Sequence, residues 1–181
     1  MQFPFVMVPG IGGSGPDHWQ SRWEASQPGT IRIAPKSWDV PDLDDWISAL
    51  ENAVGRSPKP PVVICHSLGC LLFAHWRAAS SLRIAGAILV AVPDPAGPAF
   101  PEQAKAFGML PAQGFGDLPV LAVTSTDDPY DPHGRGRAWA EAQGASIRTV
   151  GPLGHLNVAS GVGDWPKGRE IVAEFIERME R

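Results

Sequence analysis

Residues 61–76 contain the pattern that most restricts the fold of this chain. Four apolar residues, Val62 to Cys65, lead into Ser67 and Gly69, and apolar residues then recur at helical spacing. This is the strand, sharp turn and helix of the nucleophile-elbow pattern G-x-S-x-G, with Cys65 in place of the first glycine. Gly69 would let the helix pass close to the strand, and the turn would present the Ser67 hydroxyl outward. Because S-x-G also occurs in ordinary turns, the rest of the chain must decide whether Ser67 is catalytic.

Strand-length apolar runs alternate with helix-length amphipathic segments along the whole chain. Besides the elbow strand, the sequence predicts strands at Phe3–Val8, Thr30–Ala34, Ile84–Val92, Leu118–Ser125 and Ser146–Val150. Besides the elbow helix, it predicts helices at Asp17–Trp23 (with Asp17 as the cap), Pro41–Val54, Arg135–Gln143 and Gly168–Arg181. Strands that alternate with helices are joined by right-handed crossovers and form a parallel sheet. The sequence therefore predicts a doubly wound, mainly parallel α/β sheet of about six strands with helices on both faces. A length of 181 residues suits one such domain, spanning residues 1–181.

Composition excludes several function classes. The formal net charge of −4 gives no electrostatic case for a nucleic-acid partner. No apolar run approaches the roughly 18 residues of a membrane span, and the N-terminus lacks a basic leader region, so we expect a cytoplasmic protein without membrane insertion. Cys65 and Cys70 are too few for a disulfide framework and have no neighbouring ligand cluster. We therefore expect two buried thiols, no metal and no cofactor.

A glycine loop, residues 9–15, follows the first predicted strand. Its free backbone N–H groups are compatible with a phosphate-binding loop, with a donor to an oxyanion hole, or with a tight turn of no further function. The phosphate hypothesis is weak, because the loop lacks the lysine and spacing of phosphate-binding motifs. If the loop serves an oxyanion hole, the N–H of Ile11 or Gly12 is the expected donor.

Three residues suited to nucleophilic catalysis follow three predicted strands. Ser67, Asp128 and His155 appear in the chain order that α/β hydrolases use, and each lies at the carboxyl end of a strand, where ligands bind open α/β sheets. A serine hydroxyl needs a base to take its proton and a third group to orient that base. The sequence predicts Ser67 as nucleophile, His155 as base and Asp128 as the orienting acid.

Alternatives exist for the acid and for the base. Asp127 is adjacent to Asp128, but Asp-Pro-Tyr-Asp-Pro after position 127 favours Asp128 as the acid, with Asp127 capping the turn. His66 lies inside the elbow, and its ring is expected to point away from the base position beside Ser67. The remaining histidines, His18, His75 and His133, are expected to be structural or at the surface. His18, with Trp19 and Trp23, could instead line the mouth of a pocket, although amphipathic packing of the helix is the simpler explanation.

Residues 95–118 are rich in Pro, Gly, Ala and Phe and show no clear period, although one or two helical turns could form between positions 101 and 107. A connection of this length favours a segment that covers the substrate. A surface connection anchored by Phe100 and Phe107 is equally compatible with the sequence.

Five motifs together resemble the YdeN/retinoblastoma-binding-protein-9 family of small serine hydrolases. They occupy residues 9–13, 65–69, 126–130, 154–157 and 160–166, and the last, Ser-Gly-Val-Gly-Asp-Trp-Pro, is the most specific. The resemblance covers nearly the whole chain and implies an α/β-hydrolase fold without a large lid domain. It assigns nucleophile, base and acid to Ser67, His155 and Asp128, and it implies small esters or amides as substrates.

The leading hypothesis is a serine hydrolase that forms an acyl-enzyme on Ser67 from a small-molecule acyl substrate. The N–H of Leu68, directly after the nucleophile, is the first expected oxyanion donor. One alternative is a module that binds a protein partner on a hydrolase scaffold, since fold does not fix function. Another is acyl transfer to an acceptor other than water, which proceeds through the same acyl-enzyme.

Overall fold

A computed structural model describes residues 3–181. Six strands form in the order of the chain: β1 (Phe5–Val8), β2 (Ile31–Arg32), β3 (Val62–His66), β4 (Gly86–Val90), β5 (Val120–Thr124) and β6 (Ser146–Thr149). Five α-helices alternate with them: α1 (Trp19–Ser26), α2 (Leu43–Gly55), α3 (Leu68–Ala79), α4 (Arg135–Ala142) and α5 (Pro166–Met179). A 3₁₀ helix (Glu102–Gly108) lies between β4 and β5.

The strands pair in the order β2-β1-β3-β4-β5-β6, and all five pairings are parallel. β3, β4 and β5 are buried at every residue, which explains why their sequences are apolar throughout rather than alternating. The predicted doubly wound parallel sheet is confirmed. Within residues 3–181 no separate lid domain is present, as expected.

Helices cover both faces of the sheet, and the two-residue period of the strands divides the core between them. Val63 and Cys65 of β3 pack with residues of α2, α3 and α4 in one apolar cluster. Val62 and Ile64 pack in a second cluster with residues of α1 and α5, including Trp19. Among the described residues, no helix is both long and apolar enough to cross a membrane.

The start of α1 differs from the sequence prediction. His18, not Asp17, is the N-cap: its backbone is extended, and its Nδ1 accepts a hydrogen bond from the Gln20 N–H at 3.2 Å. The His18 N–H donates to Gly15 O at 2.9 Å, which closes a turn and leaves Asp17 exposed within it. Asp17 instead pairs with Arg22 at 3.3 Å. The turn decides the cap, because it directs the Asp17 carboxylate to solvent.

The segment at residues 95–118 is anchored to the core and also contributes to the wall of a cavity. Phe107 is fully buried and packs edge-on against Trp46, with ring centroids 5.4 Å apart, so it anchors the 3₁₀ helix to the core. Phe100 and Pro101 instead line a cavity at the carboxyl edge of the sheet. The anchoring predicted for Phe107 is thus present, whereas Phe100 forms part of the cavity wall.

Candidate active site

Ser67 occupies a strained backbone position between β3 and α3. Its φ of 53° and ψ of −123° are rare for a residue with a side chain, and its N–H donates to Val90 O of the neighbouring strand at 3.0 Å. A Cβ at Gly69 would lie 2.4 Å from Val8 O and 2.7 Å from Pro9 O, so only glycine lets α3 pass so close to β1. The sharp turn predicted from the sequence is present.

His155 and Asp128 lie beside the Ser67 side chain. His155 Nε2 is 2.8 Å from Ser67 Oγ, and His155 Nδ1 is 2.9 Å from each carboxylate oxygen of Asp128. Because the carboxylate can only accept, the His155 Nδ1–H donates to it, which leaves Nε2 free to accept from the serine hydroxyl. His155 and Asp128 are both buried, at 6% and 4% exposure. A continuous hydrogen-bonded chain therefore joins Ser67 Oγ to a carboxylate shielded from water.

The two neighbouring aspartates have different partners, and one expectation about them is wrong. Asp127 does not cap its own turn; its Oδ1 accepts from the Gly154 N–H at 2.7 Å and from Ser125 Oγ at 2.8 Å. These hydrogen bonds, led by that of Ser125, lower the pKa of the exposed Asp127 carboxyl. Asp128 makes the turn contact instead, because its Oδ1 also accepts from the Tyr130 N–H at 2.9 Å. Asp127 thus ties down the loop that carries His155.

That loop, residues 151–157, is called the base loop below, and distant side chains hold two of its carbonyl groups. His66 Nε2 donates to His155 O at 2.9 Å, and Trp19 Nε1 donates to Leu156 O at 2.8 Å. Leu156 has a φ of 52°, so these carbonyls project from an irregular backbone. The His66 ring lies beside the His155 ring, with centroids 5.0 Å apart, and supports the base loop through its hydrogen bond to the carbonyl group.

The late Ser-Gly-Val-Gly-Asp-Trp-Pro segment packs against α1. Trp165 stacks on Trp23, with centroids 5.9 Å apart and planes 12° apart, and meets Trp19 edge-on at 5.1 Å. Trp23 Nε1 donates to Asp164 O at 2.7 Å. A Cβ at Gly168 would lie 2.2 Å from the Trp165 ring, so this glycine makes room for the indole. The segment therefore secures the chain immediately after the base loop.

The glycine loop approaches the nucleophile closely. A Cβ at Gly10 would lie 2.9 Å from Ser67 Cβ and 3.3 Å from Leu68 N. The N–H of Gly12 donates to Trp38 O at 3.2 Å and is engaged, whereas among the described residues no backbone acceptor takes the N–H of Ile11. Leu68 is the first residue of α3, so its N–H has no acceptor within the helix. Leu68 and Ile11 both line the cavity that contains Ser67, and among the described residues neither N–H has a backbone acceptor.

A cavity of about 440 Å³ opens over Ser67 at the carboxyl edge of the sheet. Phe100, Pro101 and Val158 contribute apolar surface, while His18 and Asn157 contribute polar groups. None of the described residues that line it is Asp, Glu, Lys or Arg. The described cavity wall therefore offers a bound molecule no carboxylate, ammonium or guanidinium partner.

Burial keeps the two histidines beneath this cavity neutral. It lowers the pKa of His18 to about 4, assisted by the charges of Arg32 and His155, and it lowers the pKa of His66 well below its usual range. The rings of the two residues meet edge-on, with centroids 4.7 Å apart. Burial also raises the pKa of the Cys65 and Cys70 thiols, so both are inert packing groups beside the elbow.

Comparison with known proteins places the chain in a family. A sequence model of the serine hydrolase family matches residues 5–174. The chain belongs to that family. A YdeN-like hydrolase from Pectobacterium atrosepticum is 32% identical to it, over 98% of this chain and 92% of the other, with a TM-score of 0.86. The resemblance to YdeN-like small serine hydrolases is thereby confirmed.

Two more distant structures share the fold of this serine hydrolase family member. The ydeN gene product of B. subtilis is 19% identical, covers 97% of this chain and 100% of its own, and has a TM-score of 0.79. An α/β hydrolase enzyme from the sediment metagenome of the Mar Chica lagoon in Morocco is 10% identical, covers 100% and 93%, and has a TM-score of 0.74. Among curated proteins there is no significant match.

Several residues that hold the glycine loop of this serine hydrolase in place could not be predicted from the sequence. Trp38 packs against the glycine loop, since a Cβ at Gly13 would lie 2.7 Å from its ring. Arg32 of β2 donates to Gly13 O at 2.6 Å and to Ser21 Oγ at 2.8 Å, which ties the same loop to α1. No sequence motif predicts these contacts. Among residues 3–181, no three His, Cys, Asp or Glu side chains are grouped as metal ligands would be.

Proposed function

We propose that the protein hydrolyses small, uncharged carboxylic esters through an acyl-enzyme formed on Ser67. The observation that carries the proposal is the hydrogen-bonded chain from Ser67 Oγ through His155 to Asp128. This arrangement has the roles of a Ser-His-Asp triad, in which a base accepts the serine proton and a carboxylate holds the base in the correct tautomer. Membership of the serine hydrolase family supports the same chemistry.

In the acylation step, Ser67 Oγ attacks the carbonyl carbon of the ester while its proton moves to His155 Nε2. Asp128 accepts the His155 Nδ1–H throughout and stabilises the imidazolium that forms. The resulting tetrahedral intermediate collapses when the bond to the leaving alcohol breaks. His155 gives its proton to that alcohol, and the acyl group remains bonded to Ser67 Oγ.

In the deacylation step, water takes the place of the alcohol. His155 Nε2 removes one proton from the water, whose oxygen attacks the acyl carbon, and the second tetrahedral intermediate expels Ser67 Oγ. The proton on His155 returns to Ser67, which restores the starting state. The products are one carboxylic acid and one alcohol, and no cofactor takes part.

The two tetrahedral intermediates carry negative charge on the former carbonyl oxygen. We assign its stabilisation to the N–H groups of Leu68 and Ile11, because both residues line the cavity that contains Ser67. Gly12 is the weaker candidate, because its N–H already donates to Trp38 O. Two preorganised donors at this point are worth several orders of magnitude in rate, since loss of one such donor costs about 10²- to 10³-fold.

Turnover of p-nitrophenyl acetate tests the proposal. The wild-type protein should release p-nitrophenol, and a rapid quench should reveal a covalent acetyl group on the peptide that contains Ser67. In Ser67→Ala, turnover should fall by about 10⁴-fold or more, and the acetylated peptide should be absent because alanine has no hydroxyl group to acylate. Turnover that persists in a correctly folded Ser67→Ala sample would rule out the proposed nucleophile.

A further inference from the structure

His18 has one ring nitrogen that the fold does not use. The side chain is only 5% exposed and lines the cavity above Ser67. Its Nδ1 accepts from the Gln20 N–H and so caps α1. Its Nε2 is buried and has no hydrogen-bond partner among the described residues. The cap contact therefore accounts for Nδ1 but gives Nε2 no structural role.

The tautomer of His18 follows from its cap contact. A nitrogen that accepts from a backbone N–H carries no proton, so in the neutral ring the proton lies on Nε2. Burial lowers the His18 pKa to about 4, so the ring is neutral near pH 7. His18 consequently presents one N–H donor without an acceptor, which is an unfavourable state for a buried polar group.

Of the other polar side chains in the cavity wall, Ser14, Asn157 and His66 already have partners, whereas Gln103 is exposed and Tyr130 is half-buried. Ser14 Oγ donates to Gln20 Oε1 at 2.7 Å, and Asn157 Oδ1 accepts from the Ser160 N–H and hydroxyl at 3.0 Å. His66 Nε2 donates to the base loop. Phe100, Pro101 and Val158 contribute apolar surface to the same cavity. His18 lines the same cavity, and its buried Nε2–H, which has no partner among the described residues, is suited to an acceptor that arrives with the substrate.

We propose that His18 determines substrate specificity by donating its Nε2–H to an uncharged oxygen of the ester other than the scissile carbonyl. The preferred substrates are then esters that carry an ether, keto or hydroxyl oxygen in the acyl chain or in the alcohol. The inference rests on the proposed function, because it supposes that the ester occupies the cavity above Ser67. The uncharged cavity wall excludes an ionic group as the partner.

Matched pairs of esters that differ by one oxygen test the proposal. In the acyl series, p-nitrophenyl 3-methoxypropionate is compared with the valerate; in the alcohol series, 2-methoxyethyl acetate is compared with butyl acetate. Each kcat/KM is divided by the rate of hydroxide hydrolysis, which removes differences in intrinsic reactivity. The wild-type protein should prefer the ether of at least one pair by about tenfold.

Two substitutions separate the capping role of His18 from its proposed role as a hydrogen-bond donor. His18→Asn keeps a side-chain oxygen that can cap α1 but loses the N–H at the Nε2 position, so the preference should fall to about one. His18→Gln caps poorly but reaches farther with its amide, so it should regain part of the preference despite a lower melting temperature. The exposed His133→Asn serves as the control and should retain the wild-type preference.

An NMR measurement on protein that retains His18 tests the same contact without the risk that a His18 variant misfolds. In Ser67→Ala protein labelled with ¹⁵N-histidine, 2-methoxyethyl acetate should shift the His18 Nε2–H resonance, and butyl acetate should not. An unchanged preference in His18→Asn, a Gln variant no better than Asn, or equal shifts with both esters would overturn the role of His18. Ester hydrolysis that survives Ser67→Ala would instead count against the proposed function, and the inference would fall with it.

Discussion

The nucleophile elbow and the base loop meet at one hydrogen bond, but they are held in place by different means. Ser67 is positioned by its immediate neighbours in sequence, by pairing of β3 with β4, and by the close approach that Gly69 allows. His155 lies on a loop whose carbonyl groups accept from His66 and Trp19, which are 89 and 137 residues distant from their partners in the chain.

The difference between the two regions shows where the site is vulnerable. The elbow is part of the sheet and its core, so damage to it is expected to appear as lost stability. The base loop lacks regular secondary structure, and side chains of α1 and β3 hold it through single hydrogen bonds. Damage to those contacts is expected to displace His155 and to reduce turnover more than stability. The predictions below test this contrast.

The largest expected effect comes from Asp128→Asn, which disables the base without moving it. The amide nitrogen can donate to Nδ1 and so favours the wrong tautomer of His155, and kcat for p-nitrophenyl acetate should fall about 10⁴-fold. The neighbouring Asp127→Asn is the matched control, because its amide oxygen can still accept from the Gly154 N–H; its loss should stay below about tenfold. The opposite ranking would transfer the role of acid to Asp127.

Gly69→Ala should destabilise the elbow by a steric clash. The new Cβ would lie 2.4 Å and 2.7 Å from two backbone carbonyl oxygens that cannot move away easily. The free energy of unfolding should fall by about 3 kcal/mol, measured by urea denaturation. Gly55→Ala in α2 is the control: its Cβ would meet only Leu82 Cδ1 at 3.8 Å, so stability should change by less than about 1 kcal/mol. Equal changes in both variants would refute the close approach at Gly69.

Trp19→Phe should affect the base loop selectively. It removes the donor to Leu156 O and should lower kcat about tenfold, with a stability loss of about 1 to 2 kcal/mol. Trp46→Phe deletes a comparable hydrogen bond, from a fully buried indole to Ser37 O at 3.0 Å, far from the base loop. It should cost similar stability and leave kcat within about twofold of wild type. If both variants lose kcat equally, Trp19 has no special role in positioning the base.

The smallest expected effect is a pH dependence of stability that originates in the histidines under the cavity. The pKa of His18 is lowered to about 4 in the fold, against an ordinary value of 6.5, and that of His66 is lowered too. As pH falls below 6.5, the unfolded chain takes up these protons first, so stability present above pH 6.5 is lost toward pH 4. Between pH 7 and 5.5, the melting temperature of His18→Asn should fall about 3 °C less than that of wild type. Parallel curves would contradict the lowered pKa of His18.

The same contrast separates what the sequence predicts from what it does not. Strands are visible as apolar runs, and parallel strands share one carboxyl edge, so the positions of Ser67, Asp128 and His155 at that edge could be predicted from the order of elements alone. The elbow could be predicted because its determinants, the serine and Gly69, are two residues apart.

The supports of the base loop could not be predicted in this way. Trp19 and His66 donate to the carbonyl groups of residues 156 and 155, and these hydrogen bonds form only when α1 and β3 pack against the base loop. No local sequence pattern predicts such a contact. Asp17 illustrates a different limit: its residue type favours it as a helix cap, but the local turn from Gly15 to His18 gives that position to the histidine. Local hydrogen bonds of this kind compete with the usual cap preference.

The central claim is that Ser67 is a nucleophile activated by His155. The most direct measurement is reaction with a fluorophosphonate probe, followed by intact-mass analysis and peptide mapping. The account predicts one adduct per chain, located on Ser67, with a labelling rate that falls at least 10²-fold in His155→Ala and only about tenfold in Trp19→Phe. A folded wild-type sample that stays unlabelled, or that carries its adduct on another residue, would contradict it.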